Sequence, residues 1–166
     1  MSRTLQFALA GAVLLAGHGV SLLQASVTNR QPVQPQREFC CPLGVSYLSG
    51  GGRVVLEQYC RRSGRSFFTF RVVGLASTCT HPPGTLLTDD RGRNYRMIGH
   101  SGLPPCESGE LSEDPDAHFT WSFEQIPDDV GTISIAEYED VVTQGMSYWA
   151  WRNVDISHCR EGGQVP

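Results

Sequence analysis

A chain of 166 residues with 18 Gly, 10 Pro and 40% hydrophobic residues is long enough for one domain around one core, and its widely spread turn residues exclude a helix bundle. The formal net charge is -4, and all thirteen basic residues are Arg scattered along the chain. Without a basic stripe there is no electrostatic footing for nucleic acid or for an anionic membrane surface.

Residues 1–25 read MSRTLQFALAGAVLLAGHGVSLLQA. Arg3 and the amino terminus give a short positive region, followed by an apolar run from Phe7 to Gly17. That run falls short of the roughly twenty residues needed to span a bilayer and suits the core of a signal peptide. Ala25 offers a small residue for cleavage. A competing reading extends the apolar stretch to Leu23 and keeps it as an uncleaved anchor helix, the one route to a membrane. Ser26 to Glu38 carries two Pro and three Gln with almost nothing apolar, so residues 26–44 are expected to be a flexible leader. The folded domain is placed at 45–160, with a tail at 161–166.

From residue 45 onward the hydrophobic pattern has period two. Gly50 to Gly52 reads as a turn, and Arg53 to Cys60 (RVVLEQYC) as the first core strand, closed by RRSGR. Ser66 to Leu75 follows, with Phe68, Phe70 and Val72 on one side and Thr69 and Arg71 on the other. Thr85 to Thr88 and Asn94 to Ile98 flank the connection Asp89-Asp90-Arg91-Gly92-Arg93, where Gly92 is placed for positive φ. In His118 to Glu124 (HFTWSFE), Phe119, Trp121 and Phe123 alternate with polar residues, which predicts one packed and one wet face. The turn IPDDVG leads to Thr132–Ile135, and a brief helical turn over 136–145 leads to a last strand, Ser147 to Ile156. There the alternation slips: Trp149 and Trp151 share one face, Val154 and Ile156 the other. A β-bulge near Arg152-Asn153 would return both pairs to the core. About seven short strands and no convincing helix predict an all-β, antiparallel two-sheet sandwich.

The cadence FTWSFEQIPDDVGTISIAEYED, then WAWRNVDIS, resembles bacterial exported immunoglobulin-like domains of the telokin-like kind, and DDRGRNYRM is similar to their D-x-x-G-x-x-Y hairpin. The likeness covers roughly residues 45–157 and is concentrated in the last forty. It implies an immunoglobulin-like sandwich acting as a binding or accessory module. The shared positions are framework positions, so no catalytic residue is carried over, and the six Cys depart from the group's pattern.

Those six, Cys40, Cys41, Cys60, Cys79, Cys106 and Cys159, all follow the apolar segment, and an even count behind an export signal predicts disulfides. No C-x-x-C pair is present to hold zinc. The expected pairs are Cys79 with Cys106 and Cys60 with Cys159. Cys40 and Cys41 are left to pair with each other, with another chain, or not at all.

Other constellations are less organised. The histidines are His18, His81, His100, His118 and His158. His100-Ser101-Gly102 lacks the G-x-S-x-G context of a nucleophile elbow, and His158 and Cys159 point apart as strand neighbours. Glu107, Glu110, Glu113, Asp114 and Asp116 crowd one loop, a density of hard oxygen ligands that suits Ca²⁺, though without EF-hand spacing. Asp128 and Asp129 in a turn, and Glu137, Glu139 and Asp140 at a strand end, lack the mutual orientation of a glycosidase pair. Trp121 points inward by its alternation, leaving Tyr148 and one of Trp149 and Trp151 as aromatics for stacking on a ligand. The expectation is a non-catalytic, secreted or periplasmic domain. It would bind another exported or envelope protein, or build an envelope assembly, through strand edges and loops. The alternative is an extracellular glycan- or calcium-binding module, with a small hydrolase or inhibitor behind it. No cofactor other than calcium is expected.

Overall fold

A computed structural model describes residues 38–138 and 146–159. The expected signal or anchor segment, the leader up to residue 37, the tail at 161–166 and residues 139–145 of the expected helical turn lie outside the described residues. Nine strands are present among them: β1 (Phe39–Ser49), β2 (Gly52–Arg62), β3 (Arg65–Val73), β4 (Thr85–Asp89), β5 (Asn94–Tyr95), β6 (Met97–Ser101), β7 (His118–Glu124), β8 (Thr132–Glu137) and β9 (Ala150–Asp155). They form two sheets in the orders β1-β2-β3-β7-β6 and β5-β4-β8-β9, with every pairing antiparallel. The fold is an all-β two-sheet sandwich.

The core follows from the alternation. Phe68, Phe70 and Val72 of β3 and Phe119, Trp121 and Phe123 of β7 are buried on one face of the larger sheet. Leu87, Ile133, Ile135, Trp151 and Val154 are buried from the smaller one. The two layers meet through aromatic rings: Phe70 lies 4.7 Å from Trp151 and Phe119 lies 5.3 Å from Trp149, centroid to centroid. Each such side chain contributes roughly 1.5–3 kcal/mol through burial, and offset or tilted ring pairs add to it.

Four register shifts interrupt the strand ladders, one of them in β6 between Met97 and Gly99 and the others in β9, β2 and β1. In β9, Trp151 faces Ile135 and Val154 faces Ile133, so the strand gains one residue where its apolar pattern slips. Asn153 takes φ 52° there, and its amide donates to Ser134 Oγ at 3.1 Å. The bulge expected at Arg152-Asn153 is present, and Trp149, Trp151, Val154 and Ile156 are all buried. In β2, an extra residue at Glu57 lets Tyr59 follow Val54 and Leu56 into the interior. In β1, the register shifts between Pro42 and Val45, where Gly44 has φ 69°.

The stretch expected as one strand over Asn94–Ile98 is divided. Asn94 and Tyr95 pair with β4 in one sheet, and Met97 onward pairs with β7 in the other, the chain crossing between layers at Arg96. Asp89 fixes the turn before it, accepting from the amides of Arg91 (2.9 Å) and Arg93 (2.8 Å) and from the Tyr95 hydroxyl (2.7 Å), and Gly92 has the positive φ expected of it. Burial pushes the Asp89 carboxyl upward, but these donors hold it below its ordinary value. Tyr95 is pushed up to about 12 by burial and by its bond to Asp89.

Residues 39–44, expected as leader, belong to β1, and this changes the disulfide pattern. Adjacent residues of a strand face opposite ways. Cys40 is accordingly exposed and bonds Cys60 directly across on β2, while Cys41 is buried and bonds Cys159 beyond β9. The expected Cys60–Cys159 bond is therefore corrected, as are the fates offered for Cys40 and Cys41. Cys79–Cys106 is as expected.

Candidate functional site

β4 begins and β8 ends at one end of the sandwich, where Thr85 pairs with Glu137. Period-two alternation carries Glu137 onto the inward face behind Ile133 and Ile135, and only 7% of it is exposed. One carboxylate oxygen accepts from the backbone amide of His81 at 3.0 Å and the Thr80 hydroxyl at 3.5 Å, and the other from the Trp149 amide at 3.4 Å. Thr80 in turn accepts from the Trp121 indole at 2.8 Å. Burial pushes the Glu137 carboxyl up to about 7, against the pull of the two amides, His81 and the Thr80 hydroxyl.

The His81 side chain is also buried, with Nδ1 2.5 Å from Glu107 Oε1. A short 3₁₀ turn, Pro82–Gly84, follows His81, whose carbonyl accepts from the Thr85 hydroxyl at 2.7 Å. The residue at 84 must be Gly, because a Cβ there would stand 2.1 Å from the His81 ring and 2.6 Å from the Tyr138 carbonyl. The segment around Thr78–Thr80 is stitched to the loop before β7 by reciprocal amide bonds between Thr78 and Ser112 and by the Cys106 amide on the Thr80 carbonyl, then locked by Cys79–Cys106.

These elements enclose a cavity of about 350 Å³. Leu75, Ala76, Leu111, Met146, Tyr148 and Trp149 supply apolar walls, and Thr78, His81 and Glu137 are among the polar residues that line it. The β1–β2 hairpin closes it with Ser49 and Gly50. Thr78 is 5% exposed, and its buried hydroxyl has no hydrogen-bond partner among the described residues. Among the described residues the exposed large hydrophobics are Leu48, Ile98, Leu111, Tyr138 and Met146, of which Leu111 and Met146 line this cavity. Exposed apolar side chains in a pocket wall suit a binding surface.

The residues singled out from sequence are dispersed differently. Glu107 holds His81, while Asp116 accepts from Arg71 at 3.3 Å and donates its own amide to the Asp114 carboxylate at 2.9 Å. Glu110 and Glu113 are exposed. Among the described residues the one group of three potential metal ligands within 4.8 Å is Cys41, His158 and Cys159, whose two sulfurs are already bonded to each other. The expected calcium loop therefore does not assemble. Trp149 and Trp151 are 4% and 2% exposed and belong to the core, so the stacking platform expected of them is corrected. Tyr148 is half-buried on the cavity wall. Glu137, placed among strand-end carboxylates by sequence, becomes the polar centre of the site, and its even spacing from Ile133 and Ile135 is the signal that marks it.

No protein-family model, curated protein or solved structure matches the chain.

Proposed function

We propose that this chain is an exported, non-catalytic binding domain that meets its partner with the loop end of the sandwich. The observation that carries this reading is the cavity beside Glu137, in whose wall two of the five exposed large hydrophobics among the described residues, Leu111 and Met146, are placed. Three disulfides suit an oxidising compartment, and the apolar segment at 7–17 supplies the route to the periplasm or exterior. All six sulfurs are bonded, which removes thiol nucleophiles from consideration. The immunoglobulin-like kinship rests on the aromatic strand, Pro turn and Trp strand of the last forty residues.

Loops are favoured over strand edges because the edges are blunted. β1 carries Pro42 and a bulge, and its Val45 carbonyl already accepts from the Trp151 indole at 3.2 Å. β5 has two residues, and β6 and β9 are each bulged. Short, bulged or Pro-bearing edges resist pairing with another strand.

A photoreactive residue at Leu111, on the rim, tests this, with one at Arg93 as the control at the opposite end of β4. In the native host, a discrete adduct is expected from position 111 and none from 93. Adducts from both positions, or from neither, would overturn the reading.

A further inference from the structure

The three disulfides differ in what surrounds them. We propose that Cys40–Cys60 is a thiol-exchange site, through which Cys40 is reversibly joined to an outside thiol while the fold stays intact. This goes beyond the reading of the loop end as a binding surface and does not depend on it.

Strand geometry places the bridge. Alternation along β1 sends Cys41 to the interior and Cys40 to the outer face, where Cys60 stands directly across on β2. Cys40 is exposed. Cys41, Cys106 and Cys159 are buried, and half-buried Cys79 has the Met146 sulfur 4.0 Å from its own. A thiolate attacks a disulfide along the line of the sulfur–sulfur bond, so access is needed on the far side of the attacked sulfur. Passing from Cys60 to Cys40 and onward leads off the sheet, because β1 is an edge and no strand lies beyond it among the described residues. Attack on Cys60 is opposed by Phe67, its cross-strand neighbour on β3.

The departing sulfur is also provided for. Arg62, two residues beyond Cys60 and on the same face, holds its guanidinium 4.4 Å from the centre of the Phe67 ring. A cation beside the bridge favours a thiolate. Gln58 Oε1 stands 3.4 Å from Cys60 Sγ and is placed to accept from it once it carries a proton. In the exchange, an incoming thiolate forms a bond to Cys40 Sγ and the Cys40–Cys60 bond breaks. Its electron pair leaves on Cys60 as a thiolate, with no net oxidation. That thiolate can return to Cys40 and expel the captured thiol, which makes the capture reversible. Opening the bridge leaves β1 in place, held by its ladder to β2 and by Cys41–Cys159. Two sources share this chemistry: a low-molecular-weight thiol and a cysteine of a partner protein.

The test exposes the folded, oxidised protein to reduced glutathione, quenches with N-ethylmaleimide at intervals and maps the sulfurs by mass spectrometry, with tryptophan fluorescence followed in parallel. Cys40–Cys60 is expected to open at least about tenfold faster than either other bridge, whose buried sulfurs wait for local opening. The first product should carry glutathione on Cys40 and maleimide on Cys60, with fluorescence unchanged. Prior opening of another bridge, glutathione on Cys60, or a loss of core fluorescence with the first opening overturns the inference. Cys60→Ser, isolated from the native host, separates the sources, because Cys40 then keeps what it captures. A small-thiol mass on Cys40 assigns the first source and a protein adduct the second. A folded variant whose Cys40 is a free thiol overturns the inference as well.

Discussion

Glu137 sits at a position where alternation demands an apolar side chain, and its fold-dependent acidity follows from that. Its ordinary value of 4.5 rises to about 7 in the folded protein, chiefly through burial, with His81 and, beyond it, Glu107 as titratable neighbours among the described residues. Below pH 4.5 the carboxyl is neutral whether the chain is folded or not, and it takes nothing from stability. Between 4.5 and about 7 the folded state holds the proton more tightly, so stability falls as pH rises and the loss is complete above about 7. The scale is on the order of 3 kcal/mol. Glu137→Gln should flatten this part of the curve in urea titrations from pH 4.5 to 8. A wild-type curve no steeper than the variant's would remove Glu137 as the cause.

At the scale of the element, β9 shows how a pattern defect in sequence becomes a local conformation. Its extra residue needs a left-handed backbone at Asn153, which Asn adopts at little cost and a β-branched residue does not. Asn153→Val should cost about 1–2 kcal/mol, whereas Asn153→Gly should lie within about 0.5 kcal/mol of wild type. Thermal melts of both variants check the pair, and a harmless Val would show that the bulge tolerates other conformations. This element was legible in advance, since only a slip of register brings both Trp149–Trp151 and Val154–Ile156 inside. β7 and β3 were legible for the same reason, through unbroken aromatic alternation. β1 was not. Pro42 and Gly44 are turn residues by composition, and an edge strand accepts them because nothing pairs with its outer side there. Missing that strand hid the fact that Cys40 and Cys41 face opposite ways, and the wrong partner for Cys60 followed.

On the scale of the whole molecule, the cavity was beyond sequence reasoning because its polar residues come from chain segments far apart: Thr78 and His81 before β4, and Glu137 at the end of β8. No local spacing announces such a meeting. The covalent frame is distributed just as widely. Cys79–Cys106 pins the cavity end, while Cys40–Cys60 and Cys41–Cys159 lie towards the other, where β1 starts and β9 has ended. Loop entropy ranks them. The Cys41–Cys159 bridge spans 118 residues and contributes about 5 kcal/mol, against about 3 kcal/mol for Cys40–Cys60, which spans 20. Replacing both Cys of each bridge by Ala and comparing urea midpoints should reproduce that order. The reverse order would mean that the long bridge is relieved by structure persisting in the unfolded chain.

The long bridge also gives the domain a mechanical property. Nearly all of the sandwich lies between the two sulfurs that join Cys41 to Cys159, so the domain hangs from its chain as a closed ring. Tension applied between the residues before Cys41 and those after Cys159 runs across the sulfur–sulfur bond and bypasses the sheets. The protein can therefore serve in a loaded tether without being pulled open, and a reductant would convert that inextensible link into more than a hundred residues of slack.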